Sequence, residues 1–227
     1  MLWLLCDIGL KFDVAQVCRY WRDVALHNYI FWSSISVCDT KSDCGRVPIA
    51  LQRSGSTTML HIEFWFTNGR TARDIWPASA LTALVPYVAR IEELDVDLAS
   101  SYSDTLSFRA AEALFNSNLE FLALKTLCLV GPDVGDTPRL SLKVPRLRFL
   151  DFDHIHPEDP NTLLVPSLEH IRFCESDLKS VETLSHIFTQ CPRVGLVVLQ
   201  SRDQRLRKTV GTLHALCAHG PVRRPST

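Results

Sequence analysis

The sequence predicts an α/β fold in which a short N-terminal helical segment precedes a solenoid with a parallel sheet. A short motif, x-P-x-L-x-x-L-x-L, recurs along the chain, and segments with helical periodicity lie between its copies. One such unit cannot cover its own apolar face, so neighbouring units must stack to share a core. At 227 residues and 46% hydrophobic, the chain can bury roughly 70% of the surface that its unfolded form exposes.

The first predicted element is a helix over residues 14–26. Its apolar positions follow the i, i+3, i+4, i+7 spacing of one helix face and are Val14, Val17, Cys18, Trp21 and Ala25. This helix either covers the open end of the solenoid or forms part of a separate element, residues 1–38. The polar residues 39–45 predict a loop and residues 53–56 a turn, so residues 39–55 are expected to be a linker.

The repeated motif predicts the strands. Three copies contain the proline and span residues 144–152, 165–173 and 191–199, and two copies without it span residues 91–96 and 124–129. In each copy the last two apolar positions alternate along a short strand and point into one core. The predicted strand centres are Leu94, Leu127, Leu150, Ile171 and Val197.

The spacing of these centres is typical of leucine-rich repeats. From Leu127 onward the intervals are 23, 21 and 26 residues, within the range of roughly 20–29 for such units, and the first interval of 33 is longer. Residues 59–66 alternate in the same way and predict the first strand. We therefore expect an irregular leucine-rich-repeat-like solenoid over residues 56–218 and a disordered tail over residues 219–227.

Helices are predicted between several strands. Residues 79–90, 107–115 and 177–188 each place apolar side chains at helical spacing. Three prolines between residues 152 and 168 predict an irregular turn there instead.

Composition limits the classes of partner and the compartment. With 24 basic and 25 acidic residues the net charge is −1, so bulk charge does not favour nucleic acid or a membrane as partner. The apolar start of the chain lacks a basic region and a cleavage site, and no run approaches the roughly 20 apolar residues of a membrane span. Four of the eight cysteines, Cys18, Cys128, Cys174 and Cys191, lie in apolar patterns, which favours reduced thiols and a cytoplasmic or nuclear protein.

The sequence does not predict an enzyme. It contains no glycine-rich phosphate loop, no H-E-x-x-H and no G-x-S-x-G motif. Residues 151–159 contain acids and two histidines that could bind a metal, but they directly follow a predicted strand, where a solvated polar loop is the ordinary outcome. The histidines and cysteine of residues 214–219 are a second possible metal set, but the sequence identifies no further ligand for them. Cys38 and Cys44 lack the second close pair that a zinc site of the CxxC type needs. No catalytic, metal or cofactor site is expected.

The N-terminal segment resembles the second half of an F-box. Residues 17–26 read V-C-R-Y-W-R-D-V-A-L and residues 30–35 read I-F-W-S-S-I, followed by R-S-G-S and the repeats. This order is similar to F-box proteins of basidiomycete-type fungi. The resemblance implies an adaptor of an SCF-type (cullin-RING) ubiquitin ligase that binds the Skp-family linker subunit. It points to Val17, Cys18, Trp21, Arg22 and Trp32 as the residues of the linker site.

The first half of the F-box motif is missing from the sequence. An F-box opens with a leucine–proline pair and an amphipathic helix, whereas residues 1–13 contain no proline and predict no such helix. The sequence therefore predicts an incomplete F-box, either because the chain begins within the element or because the element has degenerated. The alternatives are a stand-alone repeat module that binds proteins, and a truncated product unable to join a ligase.

The outward positions of the predicted strands are the expected site for a substrate protein. They carry charges of both signs, which suggests polar recognition without naming a ligand. The candidate residues are Glu93, Asp95, Lys125, Arg148, Glu169 and Arg172.

Overall fold

The computed structural model of the chain describes residues 8–38, 40–65, 75–98, 106–116, 119–131, 142–153, 163–174 and 187–200. Within them, seven parallel strands form one sheet in the order of the chain. The strands are β1 (Ser34–Cys38), β2 (Leu60–Trp65), β3 (Ile91–Asp97), β4 (Thr126–Val130), β5 (Phe149–Asp153), β6 (His170–Cys174) and β7 (Leu196–Gln200). The predicted α/β class with a parallel sheet is confirmed.

Five helices accompany the sheet in the described parts of the chain: α1 (Ile8–Val17), α2 (Arg19–His27), α3 (Lys41–Arg53), α4 (Ile75–Thr82) and α5 (Leu106–Asn116). Two 3₁₀ segments, Tyr29–Trp32 and Val85–Arg90, lead into β1 and β3. None of these helices has the length and apolar character that would let it cross a membrane.

Two rows of apolar side chains cross the sheet in register. Since side chains alternate along a strand, these two rows lie on the same face and form the core. The first row is Ile35, Ile62, Leu94, Leu127, Leu150, Ile171 and Val197, and the second begins with Val37, Phe64, Val96, Leu129 and Phe152. The five predicted strand centres are therefore consecutive register partners, and that prediction is confirmed.

The N-terminal helix differs from its prediction. Residues 14–26 do not form one helix, because the backbone is extended at Cys18 (φ −158°, ψ 173°), which ends α1 and caps α2. The helix α1 was not predicted, because its buried face consists of Ile8, Lys11 and Ala15 and a lysine interrupts the apolar pattern. The ammonium group of Lys11 is buried and donates to the carbonyl of Ser34 in β1.

The linker predicted over residues 39–55 is wrong for most of its length, because α3 occupies it. The Thr40 hydroxyl accepts a hydrogen bond from the amide of Asp43 at 3.1 Å and caps this helix. The polar residues that suggested a loop are therefore the cap and first turn, and Val47 and Leu51 are buried behind them. The sheet begins with β1, a strand that was not predicted. The strand predicted over residues 59–66 is therefore the second strand, β2.

The later helices partly follow their predictions. The segment 79–90 begins inside α4 and ends as the 3₁₀ segment Val85–Arg90, and α5 covers the helix predicted over residues 107–115. Most of the helix predicted over 177–188, the proline-containing turn and the predicted tail lie outside the described residues.

The R-S-G-S segment joins the N-terminal helices to the sheet. The Arg53 guanidinium lies 4.7 Å from the centre of the Trp32 ring. Ser54 is fully buried, and Gly55 turns the chain with φ 73° against the ring of Tyr29. Arg90, immediately before β3, donates to the carbonyl of Gly55 and the hydroxyl of Ser54. The predicted turn is confirmed, and hydrogen bonds from Arg90 connect it to the start of β3.

Candidate functional site

An exposed apolar cluster lies on and around α2. Seven of the fifteen large apolar side chains that are exposed in the described residues fall between Val17 and Ile30. We call this cluster the α2 surface, and it consists of Val17, Tyr20, Trp21, Val24, Leu26, Tyr29 and Ile30. Exposed apolar groups concentrated in one patch mark interaction sites.

The α2 surface rests on a fixed support. Among the residues of α2, all of which are described, Ala25 alone is buried. The indole N–H of Trp32 donates to the carbonyl of Ala25 at 2.6 Å, and the Arg22 guanidinium donates to the carbonyl of Ala15 in α1 at 3.1 Å. The Ala25 carbonyl and the Arg22 side chain therefore hold the helix against its neighbours, while its large apolar side chains face solvent.

The residues predicted from the F-box resemblance have different positions. Val17 is 70% exposed and Trp21 is 50% exposed, and Cys18 and Arg22 are also exposed. Trp32 is completely buried, so a direct contact between Trp32 and a partner is excluded. The ring packs between α1, α2 and α3, where it contacts Phe12, Ala25 and Arg53.

Sequence reasoning missed several members of the α2 surface. Tyr20 and Val24 lie four positions apart on α2, and Tyr29 and Ile30 follow in the 3₁₀ segment. The signal was present, because positions 20, 21 and 24 of α2 follow helical spacing. Exposure alone distinguishes this stripe from the usual core-facing stripe of a helix.

A second candidate surface is the outward face of the sheet, which we call the strand face. Two rows of side chains cross it in register. One row is Glu63, Asp95, Cys128, Asp151 and Arg172, and the other is His61, Glu93, Thr126, Phe149 and His170. A third outward row lies nearer the carboxyl ends of the strands and includes Asp97 and Asp153.

The six predicted strand-face residues divide into two groups. Glu93, Asp95 and Arg172 lie within strands and point outward. The other three each precede a strand by one residue and follow one another along the amino edge of the sheet. They are Lys125, Arg148 and Glu169, whose backbones are joined by hydrogen bonds of 2.8 and 2.9 Å.

Ion pairs connect neighbouring strands on this face. The Arg172 guanidinium donates to Asp151 Oδ1 at 2.6 Å and also contacts Oδ2, so the pair is bidentate. This hydrogen bond raises the pKa of Arg172, and a smaller effect of burial opposes it. Lys125 donates to Glu92 at the amino edge. His61 Nδ1 lies 2.9 Å from Glu93 Oε2.

The centre of the strand face concentrates negative charge. Burial raises the pKa of Asp95 to about 6, a hydrogen bond with Cys128 opposes this rise, and the nearby carboxylates of Glu63, Asp97 and Asp151 add to it. Burial also raises the pKa of the Cys128 thiol, and the carboxylates of Asp95 and Asp151 raise it further. This thiol therefore stays protonated at neutral pH and is a weak nucleophile.

A cavity of about 440 Å³ opens on the strand face over β4, β5 and β6. Its walls are mainly apolar and include Phe149, 41% exposed, whose ring stacks on that of His170 at 4.6 Å and 8°. Cys128, Asp151 and Arg172 complete the lining. The cavity is therefore better suited to binding an apolar group than to catalysing a reaction.

No set of three His, Cys, Asp or Glu side chains in the described parts of the chain could hold a metal ion. Comparison of the chain with protein-family models, with curated proteins and with solved structures gives no match.

Proposed function

We propose that the chain is a substrate-recognition adaptor of an SCF-type cullin-RING ubiquitin ligase. In this proposal the α2 surface binds the Skp-family linker and the strand face binds a substrate protein. The observation that carries it is the α2 surface, where Trp21 is half-exposed on a helix with one buried residue among those described, Ala25.

The composition of the α2 surface supports a protein partner. It contains one tryptophan and two tyrosines, and these residue types dominate the energetics of protein–protein interfaces because each buries a large area with few rotatable bonds. Trp21 and Tyr20 are in edge-to-face contact, with ring centroids 6.5 Å apart. Together they present two aromatic rings to a partner.

The sheet supports the substrate-binding half of the proposal. Seven parallel strands follow in chain order, with in-register apolar rows on one face and polar rows on the other. We propose that this is an irregular leucine-rich-repeat solenoid whose strand face is the recognition surface. The cavity over β5 also favours the second candidate function, a stand-alone protein-binding module.

A binding measurement tests the linker proposal. The purified chain is titrated with a recombinant Skp-family linker, and Trp21→Ala is expected to weaken the affinity by about 30-fold or more, the equivalent of a 2 kcal/mol anchor. Trp76→Ala is the matched control, because Trp76 is 41% exposed in α4.

Two results would contradict the proposal. One is a folded chain that does not bind the linker at about 100 µM, a concentration at which even weak specific complexes form. The other is an equal loss of affinity in the Trp21 and Trp76 variants. Circular dichroism of each variant separates lost binding from lost structure.

A further inference from the structure

Two stacked aromatic rings line the cavity on the strand face. Phe149 of β5 and His170 of β6 are register partners, and their rings stack almost parallel. His170 Nδ1 is buried and has no hydrogen-bond partner among the described residues, and both rings line the cavity. An apolar or aromatic side chain that packs against these two rings would exclude water from the cavity.

The strand face beside the cavity is acidic. Across β2 to β6 its three outward rows contain one guanidinium, that of Arg172, and six carboxylates, those of Glu63, Glu93, Asp95, Asp97, Asp151 and Asp153. Arg172 is engaged by Asp151, on the cavity side. The excess of negative charge therefore lies over β2 and β3, next to an apolar cavity over β4 to β6.

We propose that the strand face binds an extended segment of a partner protein that carries an aromatic side chain and a nearby arginine or lysine. The aromatic side chain occupies the cavity over Phe149 and His170, and the cation lies over Glu63 and Asp95. The proposal deepens the proposed function by naming the chemistry of the substrate. It rests on that function for its role in a ligase, but the binding itself needs the strand face alone.

Strand spacing sets the separation of the two side chains. Neighbouring strands lie roughly 4.8 Å apart, so β5 is roughly 10 Å from β3 and 14 Å from β2. A segment that crosses the strands in the polyproline II conformation places every third side chain on one side at intervals of about 9 Å. In a fully extended segment alternate positions share one side, so positions i and i+4 lie about 13 Å apart on that side. The aromatic and basic residues are therefore three or four positions apart.

Fluorescence anisotropy with labelled peptides tests this. The probes are ten-residue peptides of glycine, serine and alanine that contain one tryptophan and one arginine three or four positions apart. Matched peptides replace the arginine by glutamate or the tryptophan by alanine. We expect the tryptophan–arginine peptides to bind, and each replacement to weaken binding about tenfold or more.

Protein variants locate the site. The double variant Glu63→Gln, Asp95→Asn removes two charges at nearly constant shape and should weaken binding of the arginine peptide about tenfold, as should Phe149→Ala. Asp13→Asn, which changes an exposed carboxylate of α1, is the control and should leave binding unchanged. Trp21→Ala should also leave it unchanged, which separates this inference from the linker proposal.

Three results overturn the inference: equal affinity for the arginine and glutamate peptides, unchanged affinity in the Glu63/Asp95 double variant, or no binding of any peptide by the folded chain at 1 mM. Loss of linker binding with intact peptide binding would overturn only the proposed ligase role.

Discussion

The indole N–H of Trp32 donates a hydrogen bond of 2.6 Å to the backbone carbonyl of Ala25, seven residues earlier in the chain. The Trp32 ring also makes edge-to-face contacts with Phe12 and Phe31, both with centroids 5.3 Å away. This single side chain therefore connects α1, α2 and the 3₁₀ segment that leads into β1. The two tryptophans of the F-box-like sequence have separate roles, since Trp21 is exposed.

Replacing Trp32 should destabilise the protein strongly. Trp32→Ala removes a completely buried ring, and we expect the free energy of unfolding to fall by about 3–5 kcal/mol. Trp21→Ala, at a half-exposed position, should change it by about 0.5 kcal/mol or less. Urea unfolding of both variants measures the difference. Similar losses at the two positions would mean that Trp21 packs in the core.

A side chain at Gly55 in the R-S-G-S turn should lower the stability of the protein. Gly55 has φ 73°, and an added Cβ would lie 3.2 Å from the Tyr29 ring, so Gly55→Ala should reduce the unfolding free energy by about 1 kcal/mol or more. Gly45→Ala is the matched control inside α3, where the added Cβ meets nothing within 4 Å. This control should gain about 0.5–1 kcal/mol from helix propensity. Thermal unfolding of the two variants should therefore shift in opposite directions.

Asp95 should make the protein less stable as the pH rises. The pKa of an unfolded aspartate is about 3.9, and burial raises that of Asp95 to about 6 in the folded protein. Between these values the folded state binds more protons, so the unfolding free energy falls from about pH 4 to about pH 6. Asp95→Asn should flatten this slope and be more stable than the parent at pH 7. Urea unfolding at pH 4.5, 5.5 and 7 checks it, and an unchanged slope would refute it.

The bidentate pair on the strand face should contribute weakly and depend on salt. Arg172 and Asp151 are 48% and 25% exposed, so a double-mutant cycle with Arg172→Ala and Asp151→Ala should give a coupling of about 0.2–1 kcal/mol. Repeating the cycle in 1 M NaCl should reduce it further. The pair Arg148 and Glu169, at 3.8 Å, is the comparison and should give a smaller coupling. A salt-independent coupling would argue against an electrostatic origin.

The strands could be predicted from the sequence because their signal is local and repeated. Leu94, Leu127 and Leu150 each occupy the same place in a short motif, and stacking of the motif copies makes these places register partners although the intervals between them differ. The pattern required no knowledge of the turns between them. β1 was not predicted because its alternating residues Ile35 and Val37 follow directly on residues that were interpreted as part of an F-box.

The candidate site was predicted less completely, because exposure is decided by tertiary packing. Trp21 and Trp32 belong to the same stretch that resembles an F-box, yet Trp21 is half-exposed and Trp32 is buried. No periodicity in the sequence distinguishes the two positions. The buried Lys11 concealed α1 for a related reason, since its partner is a carbonyl of β1. The cavity depends on Phe149 and His170 meeting across strands, a relationship that requires the register.

The in-register rows make the sheet suited to piecewise redesign. Each strand contributes one residue to every row, and the intervals between successive strand centres from Leu94 onward range from 21 to 33 residues while the register is kept. Length changes are therefore absorbed between strands. An outward residue such as Thr126 or Cys128 can be exchanged without altering the apolar rows on the opposite face. Combinatorial libraries at outward positions of β3 to β6 should accordingly yield folded proteins with altered binding preferences.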